Sequence, residues 1–428
     1  MPSDAGVSRQ VGDGIPADAL VFSCPEAATH AEASFGGATD LHASLLSRPN
    51  TRTRVVETLF PACRYDRPPP AHLGGRDQAG VAAIAHHFAD VGDRHRSLPA
   101  TLLCVSSDIR LSGDVLHYRE NGALRVLHET CRITERHVIR APGLNEDRID
   151  HRFDDGVVHL LLASAGSFNY GHWLIDDMPR LEAYFALRRR HPREVISITL
   201  PSYDAHMDEV RRRMIALYLG PQANFRTVFL ARDKVYAFAR LYHVTPCSLE
   251  PVLKSPEATA AMRARLIAET RFARARYTFE RLLPPARGET WNSGQRLFVD
   301  RAVRRGRTLT NRDEIVAFVK TRGFDIIDPE ALSPRQQVVR FARARTIAGI
   351  MGAAMTNVVF CQPGSRVLDI APDPEWTDPF FWDLSAICGH RYCAVYGQWA
   401  ESEVPAARRN FTLPLDVMAD AIAALEAD

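Results

Sequence analysis

Residues 346–370 read Thr346-Ile347-Ala348-Gly349-Ile350-Met351-Gly352-Ala353-Ala354-Met355-Thr356-Asn357-Val358-Val359-Phe360-Cys361-Gln362-Pro363-Gly364-Ser365-Arg366-Val367-Leu368-Asp369-Ile370. An apolar run from Thr346 to Ile350 meets Gly352-Ala353, and a short helical pattern follows through Ala354, Val358 and Val359. Pro363-Gly364 makes a turn, and a second apolar run ends on an acid, Asp369. The stretch reads as strand, tight turn, helix, turn, strand. Small residues at the first turn let a phosphate approach backbone N–H groups at the helix start, where the dipole favours negative charge. An acid ending the next strand stands where α/β folds hold a ribose hydroxyl. Gly352, Ala353 and Asp369 are therefore candidate nucleotide contacts. The competing reading is an ordinary βαβ unit with no ligand.

The same alternation extends in both directions. Strands are predicted at 157–162, 195–200 and 227–230, with helices near 171–190 and 206–219. Pro246 to Pro256 is rich in Pro and Ser and reads as a linker, followed by a helix over about 257–277. A second series then runs strand 297–299, helix 312–321, strand 324–327, helix 334–344, strand 346–350, helix 353–360, strand 366–370 and helix 378–388, with a last helix over 413–425. Ser333-Pro334 supplies an N-cap and a first-turn proline. Alternation of this kind implies parallel sheets covered by helices. Upstream, Val115 to Glu129 alternates around Glu120-Asn121-Gly122, a β-hairpin signal. The expectation is an α/β chain of two Rossmann-like domains facing a cleft. Its parts are a poorly ordered segment 1–50, an N-terminal α/β domain 51–245, a linker and connecting helix 246–292, and a C-terminal nucleotide-binding domain 293–428.

Composition narrows the classes. The 428 residues are too many for one core of usual size. A formal net charge of +2 argues against a dedicated nucleic-acid binder. Lysine occurs only at 234, 254 and 320, so arginine supplies nearly all the positive charge. Eight scattered cysteines include no Cys-x-x-Cys pair and no zinc-finger spacing, which suggests reduced, buried thiols. The first 20 residues carry Asp4, Asp13 and Asp18 and do not read as a secretory signal. No stretch approaches the roughly 18 apolar residues needed to span a bilayer. These features suggest a cytoplasmic chain, with peripheral contact at the inner membrane left open.

Two further blocks carry chemistry. In Asn169 to Leu181, Leu174, Met178, Leu181 and Phe185 share one helical stripe, while His172, Asp176 and Arg180 fall four apart on another face. Imidazole, carboxylate and guanidinium on one face suit proton transfer beside an anion. Pro179 removes the hydrogen bond to Ile175 and is expected to kink this helix or to delay its start. Alternatives for the histidine are a satisfied interior residue or half of a His-x-x-x-Asp metal pair. The second block, Phe298 to Asn311, releases a loop with four arginines from a strand end and closes on Asn311 as a helix cap. Arg301 and Arg307 there are placed to neutralise a pyrophosphate, unless the loop is simply solvated.

Together these blocks resemble glycosyltransferase family 61 over about residues 110–400. The family's Gly-His-Trp-x-x-Asp-x-x-Pro-Arg-Leu segment corresponds to Gly171–Leu181. Its strand ending in Arg corresponds to Arg301, its Arg-x-x-x-Asn element to Arg307 and Asn311, and its Gly-Ala-x-x-Thr-Asn…Phe…Pro-Gly…acid segment to Gly352 through Asp369. Gln337 matches a glutamine usual in the preceding helix. Met351 stands where the family usually has His, Arg312 where it has Glu, and Asp369 where Glu is commoner. The resemblance implies a GT-B-like fold and inverting transfer from a nucleotide-sugar donor to a glycan or surface-polysaccharide acceptor. It implies Asp176 as base, with His172 orienting it or acting as base itself. Arg301, Arg307, Gly352 and Ala353 would hold the diphosphate and Asp369 the ribose, with Asn311 and Asn357 near the donor. Arg180 and Gln337 would line the cleft. No cofactor beyond the nucleotide sugar is implied, and a divalent metal is left open. The alternatives are a non-catalytic nucleotide- or glycan-binding relative and a metal-dependent hydrolase built on His172, Asp176 and Asp177.

Overall fold

The computed structural model describes residues 20–22, 52–89, 95–127, 148–154, 156–164, 166–249, 253–280, 295–300, 307–374, 379–400 and 409–427. Sixteen strands build the two main sheets: β1 Leu20–Phe22, β2 Thr53–Phe60, β3 His72–Gly75, β4 Thr101–Ser112, β5 Val115–Glu120, β6 Ala123–Leu127, β7 His151–Phe153, β8 Val158–Leu161, β9 Ile196–Pro201, β10 Phe225–Leu230, β11 Val235–Val244, β12 Gln295–Val299, β13 Asp325–Ile327, β14 Ala344–Ile350, β15 Arg366–Ala371 and β16 Arg391–Tyr396.

The first sheet runs β1-β6-β5-β4-β11-β8-β9-β10, with β2 also paired to β4 and β7 to β11. It is mixed. The β4–β5–β6 meander is antiparallel, whereas β11, β8, β9 and β10 are mutually parallel. The predicted hairpin is present between β5 and β6, where Asn121 and Gly122 take φ of 51° and 81°. Both central residues at positive φ match the strand twist, and Gly122 adopts its value without a Cβ penalty.

The second sheet runs β13-β12-β14-β15-β16-β3 and every pairing in it is parallel. Taking β12 to β16 in chain order, the spatial order is 2-1-3-4-5. In such a doubly wound sheet the direction of winding reverses between the first and third strands, and ligands bind beyond their carboxyl ends. Those ends are Val299 and Ile350. Helices Arg312–Thr321, Pro334–Arg343 and Phe380–Cys388 supply the crossovers. The Pro334 helix starts as predicted: the Ser333 hydroxyl accepts from the Gln336 N–H, and the Gln336 side chain accepts from the Ser333 N–H.

Three features depart from expectation. First, β3 pairs with β16, so a segment assigned to the N-terminal domain forms an edge of the C-terminal sheet. Second, Cys247, Ser248, Lys254 and Ser255, in the presumed linker, are buried. Third, the two sheets do not stand apart. One continuous buried cluster runs from Val81 and Leu103 through Trp173, Met178 and Leu266 to Met355, Val367 and Trp382. The chain is mixed α/β with parallel sheets, and buried side chains of both sheets share that cluster. Val235–Val244 is a central strand that hydropathy alone does not mark. Its residues are buried on both faces, which erases the alternation by which a half-exposed strand is read. Among the described residues no helix is long and apolar enough to cross a membrane.

Candidate active site

The segment 170–190 is not one regular helix. A single α turn, Tyr170–His172, passes into a π-helical stretch, Trp173–Asp177, then a 3₁₀ turn, Met178–Leu181, before α-helix resumes at Glu182–Arg190. Pro179 explains the change, because it cannot donate to Ile175. The chain widens ahead of it, with Met178 N–H bonding to the Trp173 carbonyl, and tightens over it. The apolar stripe is buried as predicted, with Leu174, Met178 and Leu181 fully enclosed.

The register change separates the three polar residues. His172 and Asp176 remain together: His172 Nδ1 lies 3.0 Å from Asp176 Oδ2. Arg180 turns away to donate to the Ala163 carbonyl at 2.9 Å and lies 3.8 Å from Asp177. Both Asp176 and Arg180 are buried, whereas the His172 side chain is 25% exposed. Only the imidazole can therefore meet a substrate. Asp176 is held from behind, since Ser248 Oγ donates to its Oδ1 at 2.7 Å and Cys247 Sγ donates to its backbone carbonyl at 3.5 Å. Burial pushes the Cys247 thiol up to about 12, so it stays protonated and is not a nucleophile. Asp177 faces elsewhere, accepting from Ser167 Oγ at 2.6 Å and Ser164 Oγ at 3.3 Å. Among the described residues no group of three or more His, Cys, Asp or Glu is placed to hold a metal ion.

Carboxyl ends of strands from both sheets converge here. Ser164 and Ser167 follow β8, and Cys247 and Ser248 follow β11. The Phe380 ring, reached after β15, stands edge-on to His172 with centroids 5.8 Å apart. Gly171 packs on the segment after β14: a Cβ on it would lie 2.7 Å from Thr356 Oγ1 and 3.5 Å from the Ala353 Cα. Gly166 likewise leaves room for His172, whose Cβ and Cγ would be 2.8 Å from an added methyl. Tyr170 completes the junction. Its hydroxyl lies 2.8 Å from both Gln337 Oε1 and Asn357 Oδ1, whose amide nitrogens donate to backbone carbonyls. Burial pushes the Tyr170 hydroxyl pKa upward and keeps it a donor. Gln337 and Asn357 thus brace the junction through Tyr170.

The remaining predicted contacts are distributed unevenly. Gly352 precedes a 3₁₀ helix, Ala353–Phe360, where an α-helix was expected; Met355 to Phe360 are all buried, so no amphipathic face imposes a 3.6-residue period. Asp369 sits inside β15, not at its end, fully buried and accepting from Tyr392 Oη at 3.2 Å. Asn311 occupies the N-cap position, but its side chain bonds the Leu413 backbone and Glu314 and does not cap the helix. Arg307 is half-buried at φ 51°. Arg301 lies outside the described residues, as does most of its loop. Arg312, where the resemblance leads one to expect Glu, donates to both oxygens of Asp300 just past β12. That partner raises the Arg312 pKa and neutralises the reversed charge locally.

Tyr170, Gly166, Ser248 and Phe380 belong to this site and were not assigned roles from sequence. Tyr170 adjoins the Gly-His-Trp motif and could have been noticed. Ser248 and Phe380 are remote in sequence and leave no local signal.

Residues 170–368 match the model of the family described as Glycosyltransferase 61. The match begins at Tyr170, spans the His172–Asp176 pair and the Gly352–Asn357 segment, and stops one residue before Asp369. No curated protein matches the chain.

Proposed function

We propose that this chain, which belongs to glycosyltransferase family 61 through residues 170–368, moves a sugar from a nucleotide-sugar donor to a hydroxyl of a glycan or surface polysaccharide, inverting the anomeric carbon. The observation that carries the mechanism is the His172–Asp176 pair: an accessible imidazole backed by a buried carboxylate at 3.0 Å. An ionised carboxylate only accepts hydrogen bonds, so Asp176 holds the proton on His172 Nδ1 and leaves the Nε2 lone pair facing out. His172 Nε2 takes the acceptor hydroxyl proton. The acceptor oxygen forms a bond to the anomeric carbon from one face while the bond to the diphosphate oxygen breaks on the other. The diphosphate leaves with the electron pair. Positioned proton transfer of this kind contributes roughly 10²–10⁴-fold.

The donor is assigned to the crevice beyond the carboxyl ends of β12 and β14, because the winding of the second sheet reverses there. In sequence Arg301 follows the first of these ends and Gly352-Ala353 the second, and Ala353 packs against Gly171, the neighbour of His172. Arginine and backbone N–H groups are suited to the charge that develops on the departing diphosphate. Asn311 and Arg307 then act as supports of the donor loop, and Asp369 as a buried support of β15. The acceptor enters over His172, where the 60%-exposed ring of Phe168 offers a sugar-stacking surface on the preceding turn.

Calorimetry with a set of nucleoside diphosphates tests the donor half. At least one should bind, and Arg301→Ala should weaken it by about 1.5–3 kcal/mol, the range for a hydrogen bond to a charged group. Equal affinity in the variant would remove Arg301 from the donor site. Inversion is read from the anomeric proton coupling of the product by NMR, and a retained configuration would refute the single-displacement step.

A further inference from the structure

Four arginines, Arg52, Arg110, Arg119 and Arg152, line a cavity of about 310 Å³ on the first sheet. All four lie outside residues 170–368, and the cavity shares no residue with the His172 site. Its strand β11 residues are Ala237 to Ala239, whereas the contacts to Asp176 come after the other end of that strand. The five steps from Ala239 to Val244 alone span about 17 Å at strand rise.

The geometry points to a second binding site here, for an anionic sugar: a monosaccharide unit carrying one carboxylate or phosphate. Ala237 is the cross-strand partner of Arg110 on β4 and also of Arg152 on β7. Directly opposed residues project from the same face of a sheet, so the Arg110 and Arg152 side chains leave the sheet on either side of one methyl group, and both line the cavity. That is a clamp with only a methyl at its middle. Arg52 and Arg119 are positioned at its edges. Arg52 donates to the Asp108 carbonyl at 2.8 Å and lies 4.9 Å from the Tyr118 ring centroid, and Arg119 donates to the Gly122 carbonyl at 3.1 Å. Asp108 itself takes φ 49°, and Ala239 opposite it has no bridge partner between the Phe238–Ile109 and Arg240–Ser107 pairs. The interrupted ladder opens the cavity floor.

Charge and size define the ligand. Against the four arginines the lining holds two carboxylates, Asp108 and Asp154, which leaves 4 − 2 = +2. The volume is at the low end of the roughly 300–1,000 Å³ typical of small-molecule sites. Phe153, stacked on Phe238 at 4.8 Å and 16°, supplies an apolar wall for the C–H face of a ring. The anion rests on the arginines, while the sugar rests on the transferase reading above.

Titration calorimetry of the full chain at low salt, with glucose 6-phosphate, glucuronate, glucose and inorganic phosphate, tests the site. Glucose 6-phosphate or glucuronate should bind more tightly than glucose and than phosphate, and whichever binds better tells whether the anion is a phosphate or a carboxylate. The half-exposed or exposed pair Arg110→Gln/Arg152→Gln should weaken that binding at least about tenfold. Ala237→Leu should abolish it by filling the clamp, and His172→Gln should leave it unchanged. No binding of either anionic sugar, equal binding of glucose or phosphate, or full affinity in a folded arginine double variant would overturn the proposal. Donor turnover is scored separately, so an active transferase that ignores both anionic sugars sinks this site and not the catalytic one.

Discussion

Replacing Asp176 by asparagine tests the division of labour between the two motif residues. The side chain is fully buried and the substitution is nearly isosteric, so packing against Ser248 and Cys247 should survive. The introduced amide can still accept from Ser248 Oγ through its carbonyl oxygen. Its nitrogen then faces His172 Nδ1 at the position now held by Asp176 Oδ2, 3.0 Å away. An amide nitrogen donates there, so Nδ1 must accept, and the imidazole proton moves to Nε2. Nε2 thereby loses the lone pair that takes the acceptor proton. The lost bond to a charged group is worth about 1.5–3 kcal/mol, and the wrong tautomer adds to it. Turnover should fall by roughly 10²–10⁴-fold, the full value of positioned proton transfer. Nucleoside diphosphate affinity, measured by calorimetry on the same preparation, should not change. Ser248→Ala gives the graded control: it removes one neutral-donor bond to Asp176 and should cost about tenfold at most. Wild-type turnover in Asp176→Asn would refute the tautomer argument.

Further outcomes follow from packing and charge. Gly166→Ala should displace the His172 ring, since the new methyl would sit 2.8 Å from its Cβ and Cγ; turnover should drop while overpacking costs about 1–3 kcal/mol by urea unfolding, and an unmoved, fully active histidine would count against the site geometry. Asp383 lies buried within 3.3 Å of Lys254 and 3.6 Å of Arg67, both fully buried; Asp383→Asn removes the carboxylate charge facing both cations and should cost about 3–5 kcal/mol, measurable by the same method. Burial lowers His117 and His243 to about 3 and His159 and His390 to about 4. The unfolded chain protonates these near pH 6.5, so below that it binds more protons than the folded chain. Their contribution makes stability rise with pH between about 3 and 6.5 and level off above; urea midpoints no lower at pH 5 than at pH 7 would contradict this.

Much of the C-terminal half was legible. Ser333-Pro334, Gly352-Ala353 and Pro363-Gly364 punctuate elements whose boundaries fall within a few residues of the observed ones, because caps and turns are local chemistry. The His172–Asp176 contact was legible too, since four-residue spacing survives within one widened turn. Arg180 was misplaced because Pro179 changes the helical register between them. Burial was harder to read. Nothing in the motif says that Asp176 is sealed while His172 is open, since Ser248 arrives from 72 residues away. The pairing of β3 with β16 is likewise non-local, and four residues of His-Leu-Gly-Gly carry no sheet assignment.

The most direct test is nucleoside diphosphate release across a panel of nucleotide sugars, comparing the wild-type chain with His172→Gln. An accessible imidazole acting as base predicts release from at least one donor by the wild type, with loss of about 10²–10⁴-fold in a variant that still binds the nucleotide. Equal release by His172→Gln, or nucleotide binding by the wild type without release from any donor, would contradict it.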